Sequence, residues 1–119
     1  MSHTATCHCG AVRLGFPRLD LASRRRCDCS MCRRKGAVVV SVPVGELRVE
    51  AGEALRLYTF NTHAAKHYFC GICGIYTHHL RRSNPHEFGV NLGCVEGVDL
   101  RGLDVPWVDG VNRPADRGA

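Results

Sequence analysis

The chain has 119 residues, of which 45% are hydrophobic, so it can form one small folded domain and is not a disordered chain. No apolar run approaches the roughly 20 residues that a membrane-spanning helix needs, and the N-terminal residues lack the apolar stretch of a secretory signal. We therefore expect a single cytoplasmic domain over residues 1–119 with no membrane contact.

Cysteine is the most informative residue type in this chain, because eight cysteines are present. Disulfides are uncommon in a reducing compartment, so clustered cysteines indicate metal ligands or redox groups. If seven of them bind two zinc ions as thiolates, seven negative and four positive charges lower the formal net charge from +5 to +2. This correction removes most of the charge-based argument for nucleic acid as a partner.

Many short β-type segments, separated by glycine and proline, follow one another along the chain. Runs of β-branched or alternating apolar residues predict strands at 11–16, 37–42, 47–50, 55–60, 66–69, 75–80 and 87–92, with an edge strand within 103–108. One short helical turn is predicted over 30–35, ended by Gly36, and residues 113–119 are predicted to be a frayed tail. This pattern predicts a mainly β domain with few or no long helices.

Two cysteine pairs, each followed by glycine, predict a structural metal site. An extended Cys7-x-Cys9 segment would place both side chains on one face, and Cys70-x-x-Cys73 has the spacing of a zinc knuckle. Four thiolates complete a closed tetrahedral zinc site. A redox Cys-x-x-Cys pair is the alternative, but such a pair usually precedes a helix, and no helical pattern follows Cys73.

Cys27, Cys29 and Cys32 form a compact second cluster for which several interpretations are open. Three protein ligands leave one position of a tetrahedral zinc free, which is typical of a reactive site. Cys94 could instead be the fourth ligand of a second structural site, or it could be a buried apolar residue. The three close-set cysteines could also act as redox thiols without a metal.

The basic residues and histidines near these clusters supply candidate substrate contacts. An open site of three thiolates and one Zn²⁺ has a net charge of −1, so it is suited to hold a fourth thiolate rather than to activate water. Arg33, Arg34 and Lys35 are candidate contacts for the carboxylates of an anionic thiol. His63 and His67 are candidate acid–base groups because they stand close before Cys70.

Three ordered motifs carry a family resemblance: Cys-His-Cys-Gly at 7–10, Cys-Asp-Cys-Ser-Met-Cys-Arg-Arg at 27–34 and Phe-Cys-Gly-Ile-Cys-Gly at 69–74. Together they resemble the glutathione-dependent formaldehyde-activating enzyme and centromere protein V family. The resemblance covers roughly residues 5–112 and includes the stretches at 61–67, 82–85 and 90–91. The chain departs from many relatives at Arg113, where tryptophan often follows an Asp-Gly-x-Asn run.

The resemblance implies a zinc-containing β-tent fold similar to that of methionine sulfoxide reductase B. It implies two zinc ions per chain, a structural one on Cys7, Cys9, Cys70 and Cys73 and a catalytic one on Cys27, Cys29 and Cys32. The implied activity is that of a carbon–sulfur lyase, which condenses glutathione with formaldehyde to S-hydroxymethylglutathione. The alternative that the family implies is a zinc-stabilised nucleic-acid- or protein-binding module without catalysis.

Overall fold

Short antiparallel strands make up most of the architecture, which we describe from a computed structural model for residues 2–112. The predicted frayed tail at 113–119 lies outside the described residues. Within the described range the chain forms ten strands and one α-helix: β1 (His3–Thr6), β2 (Arg13–Phe16), β3 (Arg26–Cys27), α1 (Ser30–Lys35), β4 (Val39–Pro43), β5 (Arg48–Glu50), β6 (Leu55–Tyr58), β7 (Lys66–Cys70), β8 (Tyr76–Leu80), β9 (Glu87–Asn91) and β10 (Trp107–Val108).

Two antiparallel sheets enclose the hydrophobic core. One sheet has the order β1-β2-β5 and the other has the order β4-β9-β8-β7-β6. The buried residues of β1, β2, β4 and β9 form one cluster, which includes the fully buried Leu14, Phe16, Val40 and Val90. The alternating pattern of β2 and the β-branched run of β4 explain these positions, because inward-facing side chains recur at every second residue of a strand.

The mainly β class and the absence of long helices among the described residues confirm the predicted fold class. Most predicted strands are present with ends shifted by one or two residues, and the predicted helical turn matches α1. In the described part of the chain, no helix has both the length and the apolar character needed to cross a membrane.

One local expectation was wrong, and two strands were not predicted. The segment from Cys7 to Cys9 is a turn rather than an extended strand, and Gly10 N donates to Cys7 O at 3.3 Å. Strand β1 was not predicted because its sequence is polar; it is ordered by pairing with β2 and by burial of Ala5. Strand β3 is only two residues long, which is too short for a periodic sequence pattern to predict it.

A parallel pairing between β3 and β10 holds the C-terminal segment against the three-cysteine segment. Val108 lies opposite Cys27 in this pairing. Just beyond it, one oxygen of Asp28 accepts hydrogen bonds from Gly110 N at 2.7 Å and from Val111 N at 3.1 Å. A carboxylate that accepts two backbone N–H groups replaces the ladder hydrogen bonds that so short a sheet cannot provide.

We expect Asp28→Ala to lower the free energy of unfolding by about 1–3 kcal/mol, because two backbone donors would lose their charged acceptor. Urea denaturation of the wild type and the variant measures this difference. Asp99→Ala is the matched control, because within residues 2–112 the Asp99 side chain accepts only from Arg101 N, two residues away in an exposed turn. Equal losses in the two variants would show that the Asp28 contact contributes no special stability.

Candidate metal centres and the adjoining cavities

The thiols of Cys7, Cys9, Cys70 and Cys73 converge on one point. Their four Sγ atoms all lie within 4.8 Å of one another. The Sγ atoms of Cys7 and Cys9 are 3.6 Å apart, and those of Cys9 and Cys70 are 3.7 Å apart. A tetrahedral zinc with Zn–S bonds of about 2.3 Å would separate its thiolates by roughly 3.8 Å, so these two separations match those expected around such an ion.

Two tight turns present these thiols, and backbone N–H groups support the sulfur atoms. Val12 N donates to Cys7 Sγ at 3.3 Å, and Ile72 N donates to Cys70 Sγ at the same distance. Hydrogen bonds of this kind stabilise the thiolate form that a metal requires. The glycines that close the turns have positive φ values, 84° at Gly10 and 80° at Gly74. Glycine adopts this left-handed conformation without a Cβ clash, which explains why both motifs end in it.

The thiols of Cys27, Cys29 and Cys32 form a second convergent group, again with all Sγ atoms within 4.8 Å. Cys27 ends β3, Cys29 is the residue before α1, and Cys32 lies in the first turn of that helix. The Cys29 Sγ atom caps the helix by accepting from Cys32 N at 3.3 Å. The helix ends at Gly36, whose φ of 66° is left-handed, as the sequence predicted.

The electrostatics of the three-thiol group suit a divalent cation. Hydrogen bonds from Cys27 and Cys32 lower the pKa of the Cys29 thiol, and backbone N–H groups of Cys32 and Met31 lower it further. Hydrogen bonding to Cys27 and Cys29 raises the pKa of Cys32 in turn. Without a metal the cluster therefore favours one thiolate shared among three sulfur atoms. A bound divalent ion would allow all three thiols to ionise.

Cys94 lies away from the three-thiol group and belongs to the hydrophobic core. It is 9% exposed, and its thiol donates to Tyr76 O at 3.6 Å. Burial raises its pKa to about 11, and the thiols with an electrostatic effect on it are those of Cys7 and Cys73. Among the described residues, the three-thiol group does not include Cys94. Of the two interpretations left open by the sequence, the structure agrees with the buried apolar residue.

The backbone of the C-terminal segment covers one side of the three-thiol group. Gly110 is buried, and a Cβ atom placed there would lie 2.8 Å from Cys29 Cβ and closer still to Cys27 Sγ. Only glycine allows this close approach. Sequence reasoning missed this role of Gly110 and that of Asp28, because both depend on contacts between segments about eighty residues apart along the chain.

The other side of the three-thiol group opens onto a cavity of about 100 Å³, which we call the thiol cavity. All three thiols form part of its wall. A second part of the wall consists of the rings of Phe60, His67 and His79. A third part consists of the guanidinium groups of Arg25, Arg81 and Arg82. A metal held by the three thiols would therefore face an open space bordered by positive charge.

A larger cavity of about 580 Å³ adjoins the thiol cavity, and Met31 and His67 line both. We call it the outer cavity. Its walls are mostly aromatic and aliphatic, and they include two cations, Arg34 and Lys35. A small molecule with an apolar body and a carboxylate could occupy the outer cavity while its reactive end lies in the thiol cavity.

The half-buried Lys35 and the buried His67 form a pair at the outer cavity, and His67 also lines the thiol cavity. Lys35 Nζ lies 2.7 Å from His67 Nδ1 and 3.7 Å from the centre of the Tyr76 ring. Burial lowers the pKa of Lys35 to about 8, although the nearby thiols, Cys32 first, act in the opposite direction. Burial and the Lys35 charge lower the pKa of His67 to about 4, so this imidazole is neutral at pH 7.

The structure brings only some of the predicted substrate contacts together. Lys35 and His67 lie beside the three-thiol group, and the exposed Arg34 lies at the outer cavity. Arg33 is exposed and lies outside the described walls of both cavities. His63 is likewise exposed and outside, with its Nδ1 atom 2.8 Å from Thr59 Oγ1. Two further residues of the thiol cavity, His79 and Arg81, were not predicted as substrate contacts. Arg25, in the basic run before Cys27, and Arg82, in the family-like stretch at 82–85, also line it.

We expect Gly110→Ala to displace Cys27 and Cys29 and so to weaken metal binding by the three-thiol group. The free energy of unfolding should fall by about 1–3 kcal/mol, the usual cost of inserting a methyl group into a packed site. Metal analysis of the purified protein and urea denaturation check both parts. Gly45→Ala is the matched control, because its added Cβ would meet nothing within 4 Å. A Gly110→Ala protein with unchanged metal content and stability would contradict the close packing described.

Comparison with known proteins gives the same assignment as the motifs. The family model described as glutathione-dependent formaldehyde-activating enzyme matches residues 2–104. The crystal structure of a Rhodobacter sphaeroides protein has 53% sequence identity to this chain and a TM-score of 0.83. The match covers 91% of this chain and 100% of that one. On the basis of the family match, with cysteine motifs and fold in agreement, this chain belongs to the glutathione-dependent formaldehyde-activating enzyme family.

Proposed function

We propose that this protein is a zinc-dependent carbon–sulfur lyase that condenses glutathione, or a similar thiol, with formaldehyde to S-hydroxymethylglutathione. The observation that carries this proposal is the convergence of Cys27, Cys29 and Cys32 at the wall of a cavity. Three protein ligands and an open side are the arrangement of a catalytic rather than a structural zinc. Family membership supports the choice of thiol and aldehyde.

The proposal includes two zinc ions per chain, one for each thiol group. Groups made only of thiolates favour zinc or iron–sulfur chemistry over magnesium or calcium, and the sulfur separations of the four-thiol group suit a single tetrahedral ion. Cys7, Cys9, Cys70 and Cys73 would hold the structural ion, and Cys27, Cys29 and Cys32 would hold the catalytic ion. A zinc bound by three thiolates offers a fourth position and lowers the pKa of a thiol that enters it.

The residues of this chain bind and orient the two reactants. The outer cavity takes the body of the thiol, and the exposed Arg34 in its wall contacts a carboxylate. The thiol sulfur lies in the thiol cavity at the open side of the three-thiol group. The small volume of that cavity, about 100 Å³, favours a very small electrophile such as formaldehyde beside the sulfur. Holding the two reactants in contact converts a bimolecular reaction into an intramolecular one.

The binding-module alternative has less support from the positions of the basic residues. Arg25, Lys35 and Arg81 are only partly exposed and border the two cavities. Arg81 also pairs with Glu87. A nucleic-acid surface would instead need an exposed basic stripe whose charges reach phosphates. A small-molecule thiol and an aldehyde are therefore the partners that we propose, and the cytoplasmic location stays a prediction.

We expect the purified wild type to contain two zinc ions per chain. Cys73→Ala should lose one ion and most of its stability, because a structural zinc contributes directly to folding. Cys32→Ala should also lose one ion but keep its fold, since the remaining four-thiol group still joins the two turns. Zinc analysis together with thermal unfolding followed by circular dichroism measures both properties. One zinc per wild-type chain, with three or four titratable thiols, would exclude the two-site proposal.

We expect the wild type to bind glutathione in a calorimetric titration and Cys32→Ala to bind it at least tenfold more weakly. The reason is that the thiol would lose the metal position that holds its sulfur. Cys94→Ala is the matched control, because Cys94 lies in the core outside the three-thiol group, and this variant should bind glutathione as the wild type does. Failure of the wild type to bind a small thiol, or equal binding by Cys32→Ala, would refute the proposed function.

A further inference from the structure

One ring nitrogen of His67 is a buried hydrogen-bonding atom that the proposed function does not yet use. His67 is 5% exposed, and its Nε2 atom has no hydrogen-bond partner among the described residues. Buried polar atoms in native proteins are nearly always paired, and the exceptions often mark functional sites. This atom belongs to a ring that lines the thiol cavity together with Cys27, Cys29 and Cys32.

Lys35 determines which ring nitrogen carries the proton. Its ammonium group has donors only, and its Nζ atom lies 2.7 Å from His67 Nδ1. Nδ1 must therefore accept, and the proton of the neutral imidazole must be on Nε2. The lowered pKa of His67 agrees with a neutral ring. The unpartnered atom at the thiol cavity is thus an N–H donor.

Packing fixes the direction of this donor. The His67 ring is stacked between the rings of Phe60 and His79, with both centroid distances equal to 5.5 Å. The Tyr76 ring holds the Lys35 ammonium group at 3.7 Å, and Tyr76 also contacts His79 through a hydrogen bond of 2.5 Å. The pair is therefore held on several sides before any ligand enters, which is the preorganisation that transition-state stabilisation requires.

Carbon–sulfur bond formation creates the negative charge that such a donor would stabilise. The sulfur lone pair forms the bond to the aldehyde carbon, and the π electrons of the carbonyl move to its oxygen. That oxygen becomes an alkoxide and must then receive a proton. Two cations of the cavity are already engaged elsewhere, Arg25 with Ser23 O and Ser41 Oγ and Arg81 with Glu87, so neither replaces His67 in this role without cost.

We propose that His67 is a catalytic residue that donates from Nε2 to the aldehyde oxygen, and that Lys35 is a positioning residue that fixes the required tautomer. This inference rests on the proposed function. As the alkoxide forms, the Nε2 proton passes to oxygen while Lys35 passes a proton to Nδ1. The proton that the thiol released to water on entering the site then returns through water to Nε2, as Lys35 takes back its own proton from Nδ1. The starting tautomer and charges are restored, and no further reactant is needed.

The main test compares His67→Leu with His67→Gln, whose side-chain amide can still donate. His67→Leu should lower kcat for glutathione and formaldehyde by about 100-fold, the usual effect of removing one such donor. Its zinc content and its Kd for glutathione alone should stay within about threefold of the wild type. His67→Gln should recover about tenfold in kcat.

His78→Leu is the matched control for the loss of a buried imidazole. His78 is 2% exposed on the same sheet, its Nδ1 atom is 2.8 Å from Thr77 Oγ1, and it lies outside the described walls of both cavities. We expect this variant to lose stability but to keep kcat within about threefold. A comparable loss of kcat in both leucine variants would overturn the role of His67.

The tautomer supplies a readout that does not depend on activity. In ¹⁵N NMR spectra of the zinc-loaded wild type, His67 should carry its proton on Nε2. Lys35→Met should shift the ring toward a mixture of tautomers and lower kcat, with zinc content unchanged. A wild-type His67 with its proton on Nδ1 would overturn the proposal.

Two outcomes separate this inference from the proposed function. If the wild type binds glutathione and converts formaldehyde, but His67→Leu does so equally fast, the donor role is refuted and the function stands. If the wild type binds no glutathione, or binds it without converting formaldehyde, the proposed lyase activity fails and the role of His67 in it fails as well.

Discussion

The contact on which the rest of the structure depends is the convergence of four sulfur atoms from two turns. Cys9 and Cys70 are 61 residues apart along the chain, and their Sγ atoms are 3.7 Å apart in the fold. A metal ion bound by these thiols would close this long loop and so restrict the unfolded chain strongly. It also fixes the end of β7, because Cys70 is the last residue of that strand. Since His67 lies three residues earlier on β7, the four-thiol group also helps to position the wall of the thiol cavity.

The two thiol groups differ in what surrounds them rather than in their chemistry. In the four-thiol group, donors from both turns are present, so a tetrahedral ion would have no free position. In the three-thiol group, the backbone at Gly110 covers one side and the thiol cavity borders the other. The parallel pairing of β3 with β10 and the Asp28 hydrogen bonds hold that cover in place. Closure on one side and access on the other make the second group suited to a reactive metal.

Local sequence patterns predicted the parts of this arrangement that depend on neighbours in the chain. The spacings of the cysteines indicated both groups, and the β-branched run that forms β4 indicated a buried strand. The contact of Asp28 with Gly110 was not predicted, because it joins segments that carry no shared pattern. Lys35 was predicted as a carboxylate contact, yet the fold places its ammonium group on the Tyr76 ring and beside His67. Both Lys35 and His67 were candidate site residues, but their pairing across the fold could be identified only from the structure.

The burial of Lys35 is explained by the charge of the thiols beside it. Removing an ammonium group from water lowers its pKa, and thiolates nearby oppose that shift because they favour the charged form. Three thiolates around a divalent ion leave one negative charge, and an entering thiolate would add a second. Lys35 and the half-buried Arg25 can balance this charge within the site. The positive net charge of the chain thus has a local use at the cavities, which explains a basic composition without requiring a nucleic-acid partner.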